Sequence, residues 1–474
     1  MLPPLIRRAR KNVGCCSRQR GFTMAFVAIT MVAIISMAAL SIDIGTLYEA
    51  KAEAQRAADA GALAAAQVIS ISGLTGDTNG AADGSWADVC GGKNPYSTLI
   101  ATNVAQQNLV AGSTIPSGSI SVSYSAGTGA LNADCSGAGA GFAVNPVVTV
   151  TVQSATLPIF FARVFSLMGG NYSGATVSAT AAAEAFNPSN LGAAKTPDII
   201  PVQPRCVKPL IIPNKDPNGG TFLNPDGTIA NSGVKQLGAG VIGESLTLTA
   251  DCRRGQSNCI GLGVNLRNNP PQVVTVGASS ELEYVPAAVQ GTPIAVPGCA
   301  VGGFQAAIAG CDQSTAYTCG TPSTTTGATT INLDENPVNP SSDAGDTGTA
   351  VQCLINQANG QDSLDTSNFP FQIKAGAGSP LAQSKVVSSN DIITTSNSIV
   401  TLPIYDGTAL GAPPNPAVTI VGFLQVFIND IDGNGHPNVT VLNVVGCSSN
   451  AGNPPLYGTS PVPVRLITPP VVTP

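Results

Sequence analysis

Twenty-one consecutive residues, Phe22 to Ile42, carry no charge. As a helix rising about 1.5 Å per residue they span about 31 Å, which matches a hydrocarbon core of about 30 Å. Nine of them are Phe, Val, Ile or Leu; at about −0.3 to −0.6 kcal/mol each on an insertion scale, they outweigh Thr23, Thr30, Ser36 and Ser41. A cleaved secretory signal is the competing reading, but its apolar core normally runs about 7 to 15 residues and ends in a small-x-small site. This run is longer and ends Ala39-Leu40-Ser41-Ile42-Asp43, so it is read as an uncleaved anchor from Phe22 to Ile42, with Asp43 at its outer boundary. No second stretch of that length follows, and the expectation is a single crossing.

Six of the 21 basic residues and none of the 27 acidic ones precede Gly21, so the remainder holds 15 basic against 27 acidic side chains, a balance of −12. Basic flanks stay cytosolic, which puts the N-terminus in the cytosol and everything beyond Asp43 outside, with the lipid bilayer as the first partner. The acidic bulk argues against nucleic acid. Gly and Pro supply 88 of the 474 residues and only 10% are charged, a composition that favours strands and turns over long soluble helices.

The twelve cysteines divide at the anchor: Cys15 and Cys16 precede it and ten follow, an even number suited to a disulfide framework outside the cell interior. Cys90 and Cys135 are the only two in the first external segment and are predicted to pair; closing that loop of about 46 residues stabilises by about 4 kcal/mol in the entropy model. Among the other eight, the short-range pairs Cys252 with Cys259 and Cys311 with Cys319 are the readings taken. There is no CxxC pair and only one histidine, which leaves little for zinc.

The chain reads as α+β: a cytosolic basic leader (1–20), the transmembrane anchor (21–43), and its continuation as an Ala-rich external helix (44–70). Leu47, Ala50, Ala54, Ala58, Gly61, Ala65 and Val68 share one small-sided stripe at 100° per residue. That stripe either covers the domain's own sheet or allows oligomerisation through the helix. An α+β external domain (71–186) follows, with helices predicted at 96–110 and 157–170 and strands at 119–125, 145–153 and 174–186. A Pro-rich linker (187–204) leads to a loop-rich, disulfide-stapled β region (205–410) with strand candidates "ESLTLTAD" and "QVVTVG" and a helix candidate "GTAVQCLINQANG". A β-hairpin at 411–450 closes the fold, and a Pro-rich tail (451–474) is expected to be extended and mobile.

Asp430, Asp432 and Asn434 fit the first half of a calcium loop, but Val441 stands where a bidentate Glu belongs and the flanks are strand-like. A hairpin turn is the reading taken and calcium the alternative. Gly238-Ala-Gly240-Val-Ile-Gly243 matches a dinucleotide fingerprint in letters but precedes a strand, where a helix is needed. His436 lies in a predicted turn, where a surface position is the default. No G-x-S-x-G or H-E-x-x-H occurs, so no enzyme activity and no cofactor are expected.

The stretch "QRGFTMAF" looks like a type IV prepilin processing site, with Gly21 before the cut and Phe22 after it. Such pilins carry Glu five residues after the cut, where this chain has Phe26. Without that carboxylate, pilin-style docking of subunits is not encoded. With its continuation "SIDIGTLYEAKAEAQRAADAGALAAA", the stretch resembles the TadE/TadG-like family of the tight-adherence (Flp) pilus assembly system. Asp43, Gly45, Tyr48, Gln55, Ala57, Ala58, Asp59, Ala60, Ala62, Leu63 and Ala64 carry the likeness, which extends over residues 20 to 186. The resemblance implies a bacterial inner-membrane protein with its bulk periplasmic, working by contact with other pilus-assembly proteins or pilin subunits. Some larger members carry a metal-dependent adhesion pentad D-x-S-x-S; here Asp312-Gln313-Ser314 stops at Ala316, so that site is not carried over. Alternatives are a minor pseudopilin cut after Gly21 and a cell-surface adhesive module built on residues 205–474.

Overall fold

In a computed structural model one helix, α1 (Arg20–Ile71), runs 52 residues without a break, about 78 Å at 1.5 Å per residue. Anchor and external helix are thus one rod. Residues described are 20–75, 86–92, 95–135, 140–143, 145–157, 161, 175–187, 202–217, 219–238, 240–250, 273–276, 279–287, 289, 292–296, 299, 303–314, 317, 330–332, 343–367, 369–407, 417–433, 435–446, 456–458 and 460–470. Of the helix predicted at 157–170, only Leu157, in a strand, and Phe161 are described; the rest lies outside these residues.

The C-terminal half of α1 lies on an antiparallel sheet of four strands. Three come in sequence: β1 (Ile120–Ala126), β2 (Pro146–Leu157) and β3 (Ala175–Ala185). The fourth is Val464–Ile467, which pairs antiparallel to β3 from the far end of the chain. This corrects the expectation of a mobile tail. Main-chain pairing fixes the strand, and Arg465 Nε donates to the buried Glu184 carboxylate. Helix α2 (Tyr96–Gln106) packs beside α1. Cys90 is bonded to Cys135, tying the short helix Trp86–Cys90 to the segment after β1, while Trp86 and Tyr124 both meet Phe142 edge-on.

The Cys-rich region and the hairpin are not separate units. They form one ring of six strands: β4 (Leu210–Pro213), β5 (Ser245–Ala250), β6 (Ser279–Pro286), β7 (Ile399–Tyr405), β8 (Ala417–Ile431) and β9 (Pro437–Gly446). The pairing runs β8–β7–β4–β6–β5–β9 and returns to β8, because β8 and β9 also pair with each other. Each of the six strands is thereby paired on both sides, over two residue pairs at each side of β4. Register puts Leu402 opposite Leu424, Leu424 opposite Val444, Val439 opposite Leu246, and Leu248 opposite Leu282. All are buried, so one face is an unbroken apolar lining. β8 and β9 are apolar on both faces because their other side is covered too.

Cys311 bonds Cys206, not Cys319 as short spacing suggested, and Cys299 bonds Cys353 on helix α3 (Asp343–Leu354). Sequence separations of 105 and 54 residues become short once the chain is folded, which spacing cannot report. Cys252, Cys259 and Cys319 lie outside the described residues.

The end of α1 joins the two sheets. Asn443 Nδ2, on β9, donates to the Ser70 carbonyl. Asn187 Nδ2 donates to the Thr75 carbonyl at 2.6 Å and to Val444 at 3.4 Å. Gly73, with φ +75°, lies so close to the ring that an added Cβ would sit 2.7 Å from the Leu442 carbonyl oxygen. Only glycine meets both demands, a left-handed backbone and no side chain.

Candidate functional site

The rod α1 changes character along its length. From Met24 to Ile44 its large apolar side chains are exposed, Met24 at 79% and Ile29 at 68%, and the best 18-residue window has a mean hydropathy of 2.4. Such a surface is stable only against lipid or other apolar helices. Thr30 within it is satisfied internally: its hydroxyl donates to the carbonyls of Phe26 and Val27 at 3.0 and 2.9 Å, so it adds little to the cost of an apolar environment. Gly21 and Phe22 fall in the first turn of this helix.

From Ala50 onward the rod is buried on one side. Ala54, Ala57, Ala58, Ala62, Ala65 and Ala66 are fully covered by β2, β3 and α2. A Cβ on Gly61 would stand 3.0 Å from the Ala101 carbonyl oxygen, so α2 reaches this distance only because residue 61 has no side chain. The small-residue stripe is therefore occupied by the chain's own sheet and second helix, and is not free to receive another copy. Leu63 packs at the margin of the same core.

Polar side chains of the same stretch fasten the rod to the body, Lys51 and Gln55 to strand β3. Lys51 Nζ donates to the Ser178 carbonyl, and Gln55 Nε2 donates to the Thr180 carbonyl at 3.2 Å and to Asp59 Oδ1 at 2.8 Å. Glu53 accepts the Ala111 N–H at 2.7 Å. Asp43, taken from sequence as a boundary residue, is 3% exposed. Its carboxylate accepts the Phe161 backbone N–H at 3.0 and 3.3 Å. Nothing local in the sequence signals a contact across 118 residues. Two motif residues are exposed, Tyr48 at 74% and Gly45 one turn before it, which has open space around it.

Residues 21–68 match a protein-family model described as "Putative Flp pilus-assembly TadE/G-like". The match covers the rod itself, from the start of its apolar half to the last turn of its buried half. No curated protein and no solved structure matches the chain.

The residues of the calcium alternative lie at the β8–β9 turn. Asp430 Oδ1 accepts from Asn438 Nδ2 at 2.6 Å; Asp432 accepts the His436 backbone N–H at 2.9 Å and lies 3.1 Å from His436 Nδ1. The carboxylates thus brace the β8–β9 turn, and His436 is 9% exposed rather than the surface residue expected. Asn434 lies outside the described residues. Among those residues no group of three metal-ligating side chains forms.

Two buried ionisable groups in the ring region escaped the sequence reading. Lys208, 5% exposed, donates from Nζ to the Gly310 carbonyl at 2.5 Å; burial pushes its amine down to about 7. It borders a cleft of about 460 Å³ beside the Cys206–Cys311 bond. Burial, and then the Asp216 carboxylate beside it, lift Glu244 to about 7.

Proposed function

We propose that this chain is a non-catalytic, membrane-anchored component of Flp-type pilus assembly, its body outside the cytosol and working through protein contacts. One observation supports this above the rest: the segment matching a pilus-assembly family is a single rod, apolar and uncovered for half its length and welded to a folded body for the other half. A rod built this way transmits position from the bilayer to the body, which suits an assembly factor. Tyr48, exposed at the root of the body, is the large motif side chain left to meet a partner, because the Ala stripe is already covered.

Deletion of the gene tests the reading. Pili and adherence should be lost, and restored by the native chain but not by a Tyr48→Ala variant that is present at normal level in the membrane fraction. Normal pili in the deletion strain would overturn it.

A minor pseudopilin cut after Gly21 is the second reading, favoured by the same uncovered apolar half, which neighbouring helices in a filament would also cover. Phe26, where a pilin-type Glu would stand, argues against it. Mass spectrometry of the purified chain separates the two: an intact Met1 end leaves the anchor, and an N-terminus at Phe22 leaves the pseudopilin.

A further inference from the structure

We infer that the body has a second contact with the bilayer, made by Phe161 and held in place by Asp43; this rests on the apolar half of α1 crossing a membrane. Three observations carry it. The body is strung along the rod in order: the Thr180 carbonyl on Gln55, the Ser178 carbonyl on Lys51, and the Phe161 N–H on Asp43. Phe161 therefore lies at the end of the body nearest the apolar half. Asp43 is buried and Leu47, one turn further on, already packs against the core, so Phe161 makes the outermost described contact of the body on the rod, about 6 Å beyond Leu47, four residues at 1.5 Å each.

The third observation is the side chain itself. Phe161 is 43% exposed at a level where Leu40, Ile42 and Ile44 are also exposed, and Asp43 closes the 21-residue apolar run. An exposed aromatic ring beside the last apolar turns of a spanning helix stands at the headgroup boundary, where apolar side chains sink about 5–10 Å and their carriers lie in the interfacial plane. The Asp43 carboxylate, costly at a membrane boundary when unpaired, is matched there to a backbone donor. It acts as a positioning residue, and its task is to hold Phe161 against the rod.

The partner is thus a phospholipid interface rather than a second protein. The full-length chain is reconstituted in phosphatidylcholine vesicles carrying bromine either at a shallow or at a deep acyl position. The native chain, whose single Trp is the buried Trp86, is the blank. Phe161→Trp should add fluorescence that shallow bromines quench at least twofold more than deep ones, and Val32→Trp should show the reverse. Adding Asp43→Ala to Phe161→Trp should reduce the shallow quenching by half or more, with unchanged far-ultraviolet circular dichroism. If Val32→Trp is quenched and Phe161→Trp is not, the second contact is refuted while the anchor stands. If neither is quenched, the anchor fails and the inference with it. Full quenching that persists with Asp43→Ala would refute the positioning role.

Discussion

Gly73 is where the docking of rod onto ring can be tested by one methyl group. Alanine there meets two costs. A left-handed backbone costs a residue with Cβ about 1–2 kcal/mol, and the new carbon would lie 2.4 Å from Ile242 Cγ2 and 2.7 Å from the Leu442 carbonyl oxygen. Ile242 can rotate, but the carbonyl belongs to β9 and cannot move without disturbing its pairing. Overpacking of this kind costs about 1–3 kcal/mol, and reduced freedom of the unfolded chain returns about 0.4–1 kcal/mol. The net loss is about 3 kcal/mol. Gly112 supplies the control: its φ is +74°, with nothing within 4 Å of an added Cβ, so Gly112→Ala bears the backbone cost alone and loses about 1 kcal/mol. At about 2–4 °C per kcal/mol for a unit of this size, thermal melts followed at 222 nm should place Gly73→Ala about 6–12 °C below the native chain and Gly112→Ala about 2–4 °C below. Melting of the two variants within about 1 °C of each other would refute the packed junction.

Replacing both Cys90 and Cys135 by Ala should cost about 4 kcal/mol, read by urea unfolding of the first sheet, with Trp86 fluorescence as its local probe; a loss under about 1 kcal/mol would show that the bond does little. Lys208 titrates below its unfolded value near 10.4, so its cost is relieved as pH rises from about 7 toward 10, at about 1.4 kcal/mol per unit. Between pH 7 and 8.5 the native chain should gain about 2 kcal/mol over Lys208→Met, and parallel profiles would rule out a buried amine. Glu244 shifts the other way, its folded value raised to about 7, so its contribution is complete below about pH 4.5 and lost as pH rises through 7. Glu244→Gln should match the native chain at pH 4.5 and exceed it by up to about 3 kcal/mol at pH 8, which urea midpoints at the two pH values would check.

The sequence by itself determined the local elements. An uncharged run and an Ala-rich continuation without Pro made α1 readable almost to its last residue, alternation marked β1, β2 and β5, and two apolar runs flanking a turn marked the β8–β9 hairpin. Of the candidate site, the small-residue stripe was legible, because helical period alone brings its members to one side. Tertiary structure alone decided what meets that side. Whether the stripe served a neighbour or the chain's own sheet depended on where β3 folded back. The pairing of Val464–Ile467 with β3, the bond between Cys206 and Cys311, the closing of six strands into a ring, and the Asp43 contact with Phe161 all join residues far apart in the chain. Periodicity carries information over a few turns or strand lengths, whereas such contacts are settled by chain closure and competition for burial across the whole molecule.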